Sequence, residues 1–530
     1  MKKESLPSSI STTSDGTKVS GDLHDLEATI HKEESVSYYS GETKVFVDLE
    51  DLESTKQQTG YDFVSLENNS TFVSEIEFAE QGNQQEMKRL IRKLDLRIMP
   101  LFCLFYFSDF LDRANIGNAT LAGLRTDLGM TSYELSTAIS AFFITFIIFE
   151  IPSNVVLKKT NAAMWLSFIM LIWGITTLLM AFVKNFAGLL IARLVLGAAQ
   201  SGYSPGLMFL LSKAYTPQEF SMRVSVLITM ATLSGIVSGP LAYAMTYFDG
   251  RHGLHDWQYL FIFEGAPTIA LAIISYFVLF DDIQKVKWLT TRQKELQFNR
   301  MIPHQSADAS HDSITFKTFK VVLYDWKTWA FSVVYLLNHI NLTSITVFAP
   351  TLIDGFGFER KTAQLLTAPP CVIGTIGILI GGYLAGRYNC RSPLLAIGSL
   401  IIAVGYTCLL LLKDKWALYC TLFLIPSGMG MQAAAAIGWS AINYHDLNIR
   451  AVAVAAVFMV GNVGSIIASY LFRAQDAPKY GVYIAFGMLF NLGTAIVSGM
   501  VAILTGYFLY RENCRRDKDP NEKNQFRYFI

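Results

Sequence analysis

The sequence predicts an all-α membrane protein: twelve transmembrane helices in two six-helix bundles, preceded by a disordered N-terminal tail. Three observations predict it. The 530 residues are 52% hydrophobic and 16% charged, with a mean hydropathy of +0.34, too apolar for a soluble chain of this length. From Arg97 onward apolar runs recur with short breaks, each near the roughly 20 residues that cross a bilayer. One long polar gap, 281–326, leaves six runs on either side, the pattern of two repeated halves with a site between them.

Taken in order, residues 1–86 are rich in Ser, Thr, Glu and Asp and lack helical apolar periodicity. They are read as a disordered cytoplasmic tail, and no basic stretch followed by an apolar core marks a cleavable signal peptide. The candidate spans are 97–117, 133–156, 162–182, 187–212, 222–247, 259–280, 327–350, 364–386, 392–412, 416–440, 451–472 and 482–510. They give an N-terminal bundle over 87–280, a cytoplasmic central loop over 281–326, a C-terminal bundle over 327–510 and a cytoplasmic tail over 511–530. Lys88, Arg89, Arg92, Lys93 and Arg97 precede the first span, and Arg511, Arg515, Arg516 and Lys518 follow the last. With the basic central loop they put both termini in the cytoplasm. The plasma membrane is the expected location, with an endomembrane as the alternative.

Formal net charge is zero, so no basic field points to nucleic acid. The six cysteines are scattered and form no CxxC pair; they read as small hydrophobes rather than disulfides or metal ligands. No phosphate loop, nucleophile elbow or HExxH occurs. An enzyme is therefore not expected, nor a metal or cofactor, and the energy source is a gradient rather than ATP.

The first span ends in D-F-L-D-R, and Asp109, Asp112 and Arg113 fall at i, i+3 and i+4 on one helix face. Each charge facing lipid would cost roughly 2.5–3.5 kcal/mol at the span centre, so this face looks onto water or protein. Carboxylates that carry protons and an arginine that holds an anion suit a transport pathway; a buried pair that only locks helices is the alternative. Arg113 lies about 24 Å up the first span and Arg193 about 9 Å below the outer end of the fourth. That puts both in the outer half of a core about 30 Å thick, where they could grip one anion or Arg193 could pair with Asp109 or Asp112.

Other polar positions are open to two readings. Glu150 near the inner end of the second span and Glu264 near the outer start of the sixth are gate carboxylates or local ion-pair partners. His339, with Asn338 and Asn341 beside it, is a ligand of the second half or a packing residue. Trp439 and Asn443 supply an aromatic wall and a donor, or anchor the membrane interface. Gln200 and Tyr203 on the fourth span complete the expected substrate contacts. Gly235-x-x-x-Gly239-Pro240 is a small-residue contact followed by a helix weakener, and Gly381-Gly382-Tyr-Leu-Ala-Gly386-Arg387 suits a gating loop or a plain basic one.

At D-R-A-N-I-G-N-A, joined with F-E-I-P-S-N, the sequence resembles the major facilitator superfamily. More narrowly it is similar to the fungal allantoate-permease branch of its anion:cation symporter family. Further matches are Arg193-Leu-Val-Leu-Gly197-x-x-x-x-Gly202-x-x-Pro205, Trp257-Gln-Tyr-Leu-Phe-Ile-Phe-Glu264-Gly265 and Gln475-Asp-Ala-Pro478-Lys-Tyr480, over roughly residues 88–510. The resemblance implies twelve helices in two bundles and proton-coupled uptake of a small organic anion, a vitamin-like monocarboxylate such as nicotinate. Allantoate and other ureides, pantothenate and biotin are the alternative substrates. It implies Asp112, with Asp109 beside it, as proton carrier and Arg113 and Arg193 as carboxylate ligands. The family often has Glu where this chain has Gln200, which leaves the fourth span without a second proton site. An uncoupled facilitator of the same anions is therefore a rival reading, and a transporter-like nutrient receptor another. Protons, the anion and membrane lipid are the expected partners, and a monomer the expected state.

Overall fold

A computed structural model describes residues 35–40, 43–48, 69–308, 316–388, 391–444, 447–471, 482–518 and 528. The chain divides into two compact units, Met1–Glu86 and Met87–Ile530. Most of the expected tail lies outside the described residues. Within it, β1 (Ser35–Ser40) and β2 (Thr43–Asp48) pair antiparallel, with Val36 opposite Val47, and α1 (Asn69–Leu121) begins ahead of the 87 boundary.

The second unit is helical. After α1 come α2 (Ser132–Lys159), α3 (Ala162–Met180), α4 (Phe186–Gln200), α5 (Tyr203–Ala214), α6 (Pro217–Met245) and α7 (Asp256–Val278). Then follow α8 (Thr291–Asp308), α9 (Phe316–Tyr324), α10 (Trp326–Gly355), α11 (Ala368–Tyr388), α12 (Arg391–Leu411), α13 (Leu424–Ile442), α14 (Leu447–Ala468) and α15 (Val482–Lys518). Caps set several starts. Thr131 and Glu134 form a capping box ahead of α2, Asn161 caps α3, Asn185 caps α4 and Asp325 caps α10; each satisfies backbone N–H groups that have no helical partner.

Every expected span falls on a helix. Among the described residues nine helices are long and apolar enough to cross a membrane, and Val452–Ala468 is a shorter apolar one. Phe168, Phe277, Leu400 and Met500 stay exposed on these helices, an apolar surface suited to lipid. The fourth span is broken into α4 and α5 at Ser201–Gly202, and the tenth is broken at Leu422–Phe423 into a short helix, Lys415–Thr421, and α13. Pro205 and Pro426 stand in the first turns after these breaks, where a missing N–H costs nothing.

In the first half α3 packs on α7 and α2 on α4; in the second α11 packs on α13, α10 on α14 and α12 on α15. Glycines set the α2–α4 spacing. A Cβ on Gly197 would overlap the Phe142 carbonyl and one on Gly202 the Ser153 hydroxyl, so the glycines of R-x-x-L-G-x-x-x-x-G let two backbones touch.

The halves meet through α2 with α14 and α6 with α11. The fine contacts gather at the end where α1 finishes and α2 starts. A Cβ on Gly117 would overlap the Val347 carbonyl of α10, and one on Gly239 the Gln364 carbonyl and Thr367 hydroxyl that lead into α11. Ser140 and Tyr470 share a 3.0 Å hydrogen bond, Tyr133 stacks on Tyr470, and Arg360 reaches Asp256 at 3.4 Å.

The central loop is not a plain linker. Gln297 and Arg300 of α8 donate to the Ala214 carbonyl at the end of α5, and Arg300 also pairs with Glu219 at 3.0 Å. Lys93 of α1 donates to Gln293, and Arg97 lies over Trp288. A cation on an orphan helix-end carbonyl suits the negative end of the helix dipole.

Candidate functional site

The polar centre of the first half is built on α1, and one turn of helix decides its pairing. Asp109 and Arg113 are four apart and face each other; Asp112 and Arg113 are adjacent and diverge. Arg113 Nη2 donates to Asp109 at 2.8 and 3.1 Å, and Ser204 of α5 donates to the same carboxylate at 2.9 Å. The guanidinium sits 4.8 Å from the Phe110 ring and 4.7 Å from the Phe146 ring, with the cation over aromatic faces. Its side chain keeps 20% exposure while Asp109 has none. Glu150 and His339 lie within its electrostatic range.

Asp112 turns the other way. Its Oδ2 accepts from Trp173 Nε1 of α3 and, at 3.4 Å, from Thr268 Oγ1 of α7. Behind it Arg193 of α4 is buried and donates to Asn115 Oδ1 at 3.5 Å. Asn115 in turn donates to Glu264 Oε2 of α7 at 2.7 Å. Both Asp112 and Glu264 lie within electrostatic range of Arg193. Asp112 Oδ1, Glu264 Oε1, Arg193 Nε and both amide atoms of Gln200 are buried without a hydrogen-bond partner. Such a group can take up a proton, an anion or water, since each unpaired polar atom out of water is costly. Among the described residues no cluster of three or more His, Cys, Asp or Glu could hold a metal ion.

Several expectations change. Asp112 does not pair with Arg113; Asp109 does. Arg113 is paired with Asp109 at the exposed edge, and Arg193 lies in the core within electrostatic range of Asp112 and Glu264. Glu264 belongs to the Arg193 cluster. Tyr203 is buried in the first-half core, donating to Met170 Sδ at 3.1 Å and set edge-on to Trp173. Trp439 is buried edge-on to Phe331 in the second-half core, and Asn443 donates to the Trp439 carbonyl of its own helix. All three are buried in this structure. Gly381 packs on Met431, and Gly386 and Arg387 lie within α11 rather than in a loop.

Other expected residues fall at the junction of the halves. His339 stacks on Tyr335 at 4.5 Å. Asn338 Nδ2 and Glu150 Oε2 are buried without partners. Gly235 and Gly239, the latter directly before Pro240, face Cys371, Thr367 and Gln364 of the second half. The Gln475–Tyr480 motif lies outside the described residues. Asn115, Trp173, Ser204 and Thr268 were not singled out in the sequence. Asn115 alone carried a signal, as a polar residue three positions beyond Asp112 in an apolar run.

Residues 102–469 match the family model described as Major Facilitator Superfamily. The chain is 31% identical over 447 residues to the MFS transporter prlL of a fungal species (strain NRRL 50135), covering 82% of this chain and 90% of that one. It is 31% identical over 436 residues to the transporter C1002.16c of Schizosaccharomyces pombe, covering 82% and 86%. The fold also matches the crystal structure of a bacterial homologue of the human lysosomal transporter Spinster. There the TM-score is 0.62 and the identity 15%, over 77% of this chain and 96% of that one. Helices that cross the membrane many times, a buried charged centre and relatives that are transporters agree: the chain belongs to the major facilitator superfamily and is a multi-pass membrane transporter, not an enzyme.

Proposed function

We propose that the chain is a proton-coupled importer of a small organic anion, a vitamin-like monocarboxylate of the nicotinate kind, working by alternating access between its two halves. The observation that carries this reading is the exposed edge of Arg113, held by Asp109 between Phe110 and Phe146. A guanidinium fork suits a planar carboxylate, and the two rings offer apolar faces for a flat acid. Asp112 is the proton carrier. Its partners Trp173 and Thr268 are neutral donors, so its charge can change without breaking an ion pair.

Gln200, whose amide is buried and unpaired, motivates the second reading, an uncoupled facilitator, because the resemblance implies an acid at this position. Both termini lie in the cytoplasm, the membrane is the plasma membrane, and the working unit is a monomer. The test is uptake of labelled nicotinate by the reconstituted chain with and without an imposed proton gradient. Accumulation above the outside concentration supports symport, while equilibration alone supports the facilitator. Uptake by Arg113→Ala equal to wild type, at equal protein level, overturns the assignment of the anion site.

A further inference from the structure

We infer that Glu264 is a second proton-binding group of the transport cycle, sharing a single buried proton with Asp112 while the carrier is empty; this rests on the proton-coupled reading above. The argument is a charge count inside a water-poor core. Arg113 and Asp109 neutralise each other at 2.8 Å. What remains is Arg193 with two carboxylates, Asp112 and Glu264, which are 1% and 3% exposed. One cation balances one of them. The other, left ionised, is an uncompensated buried charge, which a carboxylate avoids by taking up a proton.

The geometry ties the two acids to the same cation. Asn115 connects Glu264 to Arg193: its amide N–H donates to Glu264 Oε2 and its carbonyl accepts from Arg193 Nη2, while Asp112 lies within electrostatic range of the same guanidinium. Thr268 reaches Asp112 Oδ2 at 3.4 Å and the Glu264 backbone carbonyl at 2.9 Å. Each acid keeps one buried oxygen with no partner, Asp112 Oδ1 and Glu264 Oε1, and these are the places for the proton.

The charged and titratable groups around Glu264 are few. From α1 come Asp112 and, beyond it, the Asp109–Arg113 pair; from α4 comes Arg193. On the α3 side Leu178 backs Gly265 and Trp173 donates to Asp112. The charged residues of α6, Glu219 and Arg223, lie in its first two turns. Glu150 lies within electrostatic range of Arg113 and of Tyr335 and is outside this set.

Two consequences follow for the cycle. The empty carrier returns with Asp112, Glu264, Arg193 and one proton summing to zero charge. An entering monoanion adds one negative charge, and a second proton on the pair restores neutrality, so one proton travels with each anion. Gln200 then removes no necessary site, because α7 supplies the second acid that α4 lacks.

The test reads protonated carboxyl directly, by infrared spectroscopy of the purified substrate-free chain at neutral pH. Asp112→Asn and Glu264→Gln should each lose the intensity of one protonated carboxyl, and the double variant should lose no more than either. A contribution from Glu150 cancels in each difference. Unchanged spectra, loss in one variant alone, or additive losses overturn the shared proton. Glu264→Asp, which keeps the acid, should keep the band and guards against a merely misfolded Gln variant; loss of the band there also overturns the inference. In liposomes the double variant should not accumulate anion when a proton gradient is imposed; a double variant that still accumulates overturns it too. If the wild type fails to accumulate while the infrared pattern holds, the coupling reading fails and the shared buried proton stands.

Discussion

Alanine at Gly239 tests how the two halves trade places. The Cβ it adds would overlap the Gln364 carbonyl oxygen and the Thr367 hydroxyl. A backbone carbonyl cannot step aside as a side-chain tip can, so α6 and the start of α11 must separate. Overpacking of this kind costs about 1–3 kcal/mol, which is about a 5- to 150-fold change in an equilibrium. The cost falls only on the state in which the halves touch at this end, so it shifts population toward the state open there. Gly235, one turn earlier, is the internal control: its Cβ would lie 3.4 Å from Cys371 Sγ, an ordinary contact. Spin labels at the exposed Thr126 and Glu359, one in each half, read the opening as a distance distribution. Gly239→Ala should add a longer-distance population, and Gly235→Ala should match wild type. If both variants match wild type, the α6–α11 contact does not set the balance between states and the argument from glycine spacing is wrong.

Arg113→Lys should lower anion uptake about 10- to 150-fold, since a lost charged hydrogen bond is worth about 1.5–3 kcal/mol and an ammonium lacks the fork; wild-type uptake rates in proteoliposomes would contradict it. Arg300→Ala should lower the melting temperature of the purified chain, by removing the contacts to Ala214 and Glu219 that hold α8 on the ends of α5 and α6. The expected loss is about 1–3 kcal/mol for the acceptors left unpaired, and an unchanged melting curve would show that α8 is not clamped. A tag at residue 1 or 530 should stay hidden from an impermeant reagent in intact cells and become reactive after permeabilisation; labelling in intact cells would reverse the topology.

What the sequence made legible and what it hid divide along physical lines. Span positions were readable because lipid demands long apolar runs, and the twelve expected spans all fall on helices. The break of the fourth span at Ser201–Gly202 was legible only as a motif. What the glycines there meet, the α2 backbone at Gly197 and the Ser153 side chain at Gly202, lies on another helix. The charged residues of α1 were readable as a buried centre, yet their partners were not. Placing Asp109, Asp112 and Arg113 on one face ignored that adjacent residues on a helix point about 100° apart, so only the pair four apart could close. Tyr203 and Trp439 show a similar limit, since an aromatic near a polar motif reads alike whether it lines a pathway or fills a core.

Glu264 was the hardest position to read, because its meaning depends on residues 71 and 149 positions away, Arg193 and Asn115. No local pattern encodes that meeting. The W-Q-Y-L-F-I-F-E-G run only states that an acid sits in an apolar helix, and the cost of that burial is what required a partner. The structure supplies Asn115 as a neutral donor and Arg193 as the cation it must share with Asp112. Sharing is what gives the site a function beyond packing. Two acids balanced one to one by two arginines would form closed ion pairs with no reason to exchange protons. Two acids on one buried arginine leave a proton-sized deficit, and a deficit can be filled and emptied as an anion comes and goes.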